Sequence, residues 1–234
     1  MFFIVKGRNF LVILGVMCLV CSIMIMSNYK TEYVSAGNQK PKYTVVIDAG
    51  HGGIDGGSSG INTNTKESDL NLLYAKTLSK YLKNAGFGVV MTRTTQDGLY
   101  NTSAKNLKKS DMKKRQQIIE QSGANCVVSI HMNSYKLPKI KGAQVFYKQN
   151  NTLGKTLADN IQSQFIQSLP NAKQSSASGD YFMVNCTTLP AVIVECGFLS
   201  NPEEEQLLVT KDYRNKVCYL IMSGILNFFN QNTF

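Results

Sequence analysis

Beyond residue 42 the chain alternates short apolar runs with amphipathic stretches, and each run carries the period of one kind of element. Residues 44–48 centre on Val-Val-Ile and predict a strand buried on both faces. Apolar side chains at positions 70, 73, 74, 78, 81, 82 and 85 recur at helical spacing until Gly86, which predicts an amphipathic helix over 67–85 with a glycine stop. A strand over 89–93, a polar loop over 94–109 and a helix over 111–121 lead through Gly123 to a third buried strand, 126–130. A strand over 143–147, a helix over 152–169 and a polar loop over 170–180 come next. Strands over 181–184 and 191–194, a short helix begun by Pro202 and a closing helix over 213–229 complete the pattern. This alternation predicts a single α/β domain with a mainly parallel central sheet of about six strands and helices on both faces.

The first residues follow another pattern. Lys6 and Arg8 precede an uncharged run over 10–26, which reads as a signal peptide or membrane anchor with a polar linker, leaving residues 37–234 as the folded domain. The run lies above the usual length of a signal core and at the lower edge of what spans a bilayer. Small residues at Val34-Ser35-Ala36 suit a signal peptidase, so cleavage and retention both stay open. Basic residues before the run keep the N-terminus inside, which makes the domain extracytoplasmic, secreted or anchored through its N-terminal segment.

Charge and cysteine content sharpen this placement. The net charge is +10, and residues 1–36 carry only three basic and one acidic side chain, so the domain stays basic after export. Outside the membrane an anionic wall polymer or lipid surface is the expected neighbour, rather than nucleic acid. The cluster Lys105, Lys108, Lys109, Lys113, Lys114 and Arg115 reads as a solvated helix face. Cys126, Cys186, Cys196 and Cys218 lack CxxC spacing, which argues against a disulfide scaffold or a Cys-rich metal site.

Ligands in parallel sheets gather where strand carboxyl ends open. Both histidines of the chain fall there: His51 lies three residues after the first strand, and His131 directly follows the third. Glu67 opens the first long helix after a Gly-rich loop long enough to fold back toward His51. Two histidines, one carboxylate and a position left for water form the ligand set of hydrolytic zinc sites. Zinc held this way lowers the pKa of a water toward ~7 and polarises a carbonyl. Glu195 ends the apolar strand at the same sheet edge, and a carboxylate in so dry a run is costly unless used, which makes it the candidate catalytic acid and base. Arg93 offers either a substrate carboxylate partner or a strand-end ion pair. Asp48 offers either a ligand-orienting group or a cap for the Gly-rich turn.

The segments Asp48-Ala49-Gly50-His51-Gly52-Gly53, Glu67-Ser68-Asp69-Leu70-Asn71, Met91-Thr92-Arg93, Ser129-Ile130-His131-Met132-Asn133 and Val194-Glu195-Cys196-Gly197-Phe198, with the run on to Glu203, resemble the zinc N-acetylmuramoyl-L-alanine amidases of the Amidase_3 family. The resemblance implies one zinc ion at His51, Glu67 and His131, Glu195 as general base and acid, and cleavage of the amide between N-acetylmuramic acid and L-alanine in peptidoglycan. The layout, a membrane signal joined directly to a catalytic domain, resembles the spore-cortex amidases of the CwlD type. That implies muramic-δ-lactam formation during sporulation, a role in germination and residence in the forespore intermembrane space. Departures from the family pattern at Glu120, Asn125, Met132 and Val184-Asn185-Cys186 bear on the substrate groove and leave room for an activating accessory protein. Two other functions compete: a cysteine-type wall peptidase using Cys196 or Cys126 with a histidine, and a non-catalytic peptidoglycan-binding protein.

Overall fold

A computed structural model describes Met17 and residues 40–232, so the N-terminal targeting segment expected over 1–36 lies outside the described residues apart from Met17. Among the described residues no helix is long and apolar enough to cross a membrane. Lys40–Phe234 forms one unit. It runs β1 (Thr44–Ala49), α1 (Glu67–Asn84), β2 (Gly88–Met91), α2 (Leu107–Gln121), β3 (Cys126–Asn133) and β4 (Gln144–Tyr147). It continues through α3 (Thr152–Ser168), β5 (Ala177–Ser178), α4 (Phe182–Asn185), β6 (Ala191–Phe198), α5 (Pro202–Leu208) and α6 (Lys211–Gln231).

The six strands lie in the order β2-β1-β3-β6-β4-β5. β2, β1, β3 and β6 pair in parallel, and β4 joins β6 antiparallel while running parallel to β5. The sheet is thus mainly parallel, as the alternation of elements requires. Its large face packs α1, α3 and α6 over Val45, Ile47, Val128, Val145 and Val194. The opposite face carries a smaller layer, in which Ile119 of α2 and Met183 and Val184 of α4 cover Val46, Val127 and Ile193. Successive residues of a strand face opposite sides, so this second face also receives Asp48, His131, Glu195 and Gln144.

Three local expectations are corrected. Residues 181–184 form no strand: Phe182–Asn185 is a short helix, and its Met183 and Val184 bury themselves on the second face instead of pairing. A four-residue apolar run cannot by periodicity alone be told from a turn of helix. The helix expected from 111 begins at Leu107, because the Asn106 side chain accepts from the Lys109 amide and caps it. β3 and β6 extend beyond His131 and Glu195, so both residues sit within paired strands rather than past their ends.

Candidate metal centre and active site

His51 is placed by unusual backbone, while Glu67, His131 and Glu195 sit in regular elements. The turn after β1 takes positive φ at His51 (60°), Gly52 (130°) and Gly53 (60°), a conformation uncommon outside glycine that persists where surrounding contacts over-determine it. Two buried arginines supply those contacts. Arg93 donates from Nε to the Ala49 carbonyl at 2.9 Å, and from Nη2 to the Gly50 carbonyl at 2.9 Å and the Ser68 carbonyl at 2.8 Å. Arg115 donates from Nη1 to the Ala49 carbonyl at 2.8 Å and from Nη2 to the His51 carbonyl at 2.6 Å. Arg93, 3% exposed, forms no ion pair among the described residues and spends its guanidinium on backbone carbonyls that brace the loop. Of the basic cluster expected to be a solvated face, Arg115 is 1% exposed and belongs to the interior.

Asp48 neither touches a metal-ligand candidate nor caps the turn. It accepts from Arg115 Nη1 at 2.6 Å, Ser129 Oγ at 2.6 Å and Thr92 Oγ1 at 2.7 Å. Burial pushes its carboxyl up, but Arg115 and the two hydroxyls outweigh burial and bring its pKa down to about 2. Arg115 also binds Asp111 of its own helix at 2.5 Å, so a buried arginine with two carboxylates ties α2 to β1 beneath the His51 loop.

Three ligand atoms converge above this brace. Glu67 Oε1 lies 3.1 Å from His51 Nε2 and 2.9 Å from His131 Nδ1, and all three ligand atoms fall within 4.8 Å of one another. Four-coordinate zinc with ligand bonds of ~2.0–2.1 Å needs ligand atoms about 3.4 Å apart, so the donor set and its spacing fit one such ion. The Glu67 carboxylate is fixed by the amides of Ser58 at 2.9 Å and Met132 at 3.3 Å, and by Asn71 Nδ2 at 3.3 Å. Burial raises its pKa, yet the hydrogen bonds from His131 and His51 prevail and hold it well below the usual carboxylate range. It is therefore an anion ready to bind a cation.

The second ring nitrogen of His51 reveals a residue that sequence reading missed. Asp55 Oδ1 stands 2.9 Å from His51 Nδ1, although the angle makes no hydrogen bond, and Asp55 Oδ2 pairs with Lys108 at 2.9 Å. Without a hydrogen bond between them, Asp55 lies against the far side of the ring as a neighbouring charge shared with Lys108. The signal was present, four residues after His51 in a Gly-rich turn, but only the Gly52–Asp55 bridge folds the side chain back.

Glu195 pairs directly with His131 across β3 and β6 and is 9% exposed. Burial is the largest influence on its carboxyl; the histidines oppose it, the Glu67 charge adds to it, and the pKa rises to about 7. Its Oε2 has no hydrogen-bond partner among the described residues. Beside this row a cavity of about 360 Å³ opens between α2 and α4, lined by His51, His131, Met112, Tyr181, Phe182 and Ile193 among others. Cys126 and Cys196 are buried in the core of the opposite face, so neither shares a face with His131.

Residues 45–227 match the Amidase_3 family, described as N-acetylmuramoyl-L-alanine amidase. The germination-specific N-acetylmuramoyl-L-alanine amidase of Bacillus subtilis is 35% identical over 220 residues, spanning 89% of this chain and 92% of that protein. The CwlD amidase from Clostridioides difficile, solved in complex with the GerS lipoprotein, superposes with a TM-score of 0.77 at 32% identity, covering 81% of this chain and 100% of that one. The N-acetylmuramoyl-L-alanine amidase from Clostridium difficile 630 gives 0.74 at 30% identity, over 83% and 100%.

Proposed function

The chain belongs to the Amidase_3 family of N-acetylmuramoyl-L-alanine amidases and is related to its CwlD-type spore-cortex members; on that premise we propose that it hydrolyses the amide joining N-acetylmuramic acid to L-alanine in peptidoglycan, with one zinc ion held by His51, Glu67 and His131. The observation that carries this reading is the meeting of two imidazole nitrogens and one carboxylate oxygen, with Glu195 next in the row. Bound zinc supplies polarisation of the scissile carbonyl and acidification of a water.

The protein's own groups do the rest. Glu195 takes a proton from the attacking water as that oxygen bonds to the carbonyl carbon, then delivers it to the nitrogen as the carbon–nitrogen bond breaks. The products are a muramic carboxyl and a free peptide amine. A carboxyl whose pKa lies near 7 is suited to both transfers. Glu67 is locked by two backbone amides and Asn71, and the two arginines hold the His51 turn, so the ligand set is preorganised before any cation arrives.

We assign residues 1–36 to a signal or membrane anchor and residues 37–234 to the catalytic domain, which places the activity outside the cytoplasmic membrane. Kinship with the germination-specific enzyme and the CwlD amidase supports a role in cortex maturation, with muramic-δ-lactam formation and hence germination downstream. The lipoprotein seated on the latter supports an accessory activator here too.

Metal analysis of the purified protein, beside mass spectrometry of digested peptidoglycan, tests the assignment. One zinc per chain and free stem peptides released from intact glycan are expected. Glu195→Gln should keep the zinc and abolish release. Activity that survives EDTA and disappears on thiol alkylation would mean that zinc is not the agent.

A further inference from the structure

One row of side chains crosses the sheet through the site and continues past the residues assigned so far. Gly50 donates its amide to Ile130 at 3.1 Å, His131 pairs with Glu195, and Glu195 pairs with Gln144 of the antiparallel β4. Directly paired residues project from the same face with Cβ atoms about 5 Å apart. Gln144 therefore flanks Glu195 on the side away from His131.

The reaction has the same order. The carbonyl belongs at the metal-ligand cluster, the amine nitrogen at the carboxyl that protonates it, and the peptide beyond the amine. The next position along the row faces that departing peptide. A peptide advances about 3.3 Å per residue, so the first N–H past the scissile amide comes within reach of a glutamine one strand away.

The Gln144 amide is set for this task. Its Nε2 donates to the Ser175 carbonyl at 3.1 Å, which orients the group and leaves Oε1 as an acceptor with no hydrogen bond from the described residues. Two residues on along the same face, Phe146 holds the Tyr181 ring edge to face at 5.4 Å between centroids. Tyr181 is exposed on the cavity wall and close enough to Glu195 to feel its charge. A side-chain amide acceptor beside an exposed aromatic wall suits the N–H of an extended peptide.

We infer that Gln144 binds the peptide half of the substrate, its Oε1 accepting the N–H of the residue that follows the scissile amide. This rests on the amidase reading above. Gln144 is thus a substrate-binding residue that discriminates by peptide length, and muramoyl-alanine alone cannot use it.

The test compares three substrates on the full chain: N-acetylmuramoyl-L-alanine, N-acetylmuramoyl-L-alanyl-D-isoglutamine, and an analogue of the latter whose second amide is an ester. For the wild type, kcat/KM on the ester should fall about 3- to 10-fold below that on the amide, the effect of one uncharged hydrogen bond. Gln144→Ala should lose the same factor on the amide, lose nothing more on the ester, and leave muramoyl-alanine unchanged. Equal losses on all three substrates would mark a merely structural role and overturn the inference. Should the variant not fold, the wild-type comparison decides alone, since ester and amide cleaved equally well would also overturn it. A wild type that, with zinc bound, cleaves none of the three and also releases no stem peptide from peptidoglycan would instead remove the amidase reading and this inference with it.

Discussion

A methyl group added at Gly50 should disable the metal centre without unfolding the protein. Gly50 has no positive φ, so Gly50→Ala meets no backbone strain and the effect isolates one steric contact. Its Cβ would overlap His131 Cε1 and Nε2 and stand 2.8 Å from Nδ1, where ordinary contact begins at 3.4 Å. The Nδ1 atom alone must retreat about 0.6 Å, and the nearer ring atoms more, on the order of 1 Å. The imidazole is tied to Glu67 Oε1 at 2.9 Å, so that retreat pulls it out of the ligand cluster. A displacement of this size at a reacting centre costs roughly 100-fold in rate. The assay is kcat/KM on muramoyl-peptide together with zinc content after dialysis against a graded chelator series. We expect a loss of about 100-fold, zinc released at lower chelator concentration, and a urea midpoint close to wild type, because the clash is with a side chain and not with the backbone. Wild-type turnover and zinc retention in a folded Gly50→Ala protein would refute the claim that His131 is held in place by the absence of a side chain at Gly50.

Arg115→Met removes the partner of a fully buried carboxylate and should destabilise the fold by about 3–5 kcal/mol in urea titration, since Asp48 is then left as an uncompensated buried charge; a change below about 1 kcal/mol would contradict that role. The Asp48 carboxyl also predicts an acid transition. Its folded pKa of about 2 lies below its ordinary 3.8, so its contribution of roughly 2 kcal/mol is present above pH 3.8 and is lost as the pH falls toward 2. Stability measured between pH 5 and pH 2 should therefore drop more steeply in the wild type than in Asp48→Asn, and parallel slopes would remove the assignment.

The sequence by itself determined most of the elements, because the periods of 2 and 3.6 are local and survive without a partner. It also offered His51, Glu67, His131 and Glu195 as candidates, and the fold brings the first three together: His131 and Glu195 close apolar runs, and a polar residue there stands out in one dimension. It could not carry the short helix Phe182–Asn185 or the reversed direction of β4, since both depend on which surface is left to cover and not on spacing. The same limit hid Asp55, which meets His51 only once the Gly-rich turn closes, and the partnership of Asp48 with Arg115, residues 67 apart. The basic cluster misled for a related reason. A charge reads as solvated along the chain, and only packing shows that Arg115 is buried against the His51 turn with two carboxylates to neutralise it. Tertiary structure alone decided that Gly50, His131, Glu195 and Gln144 form one row, because strand register is fixed by burial of whole sheet faces and by no neighbouring residue.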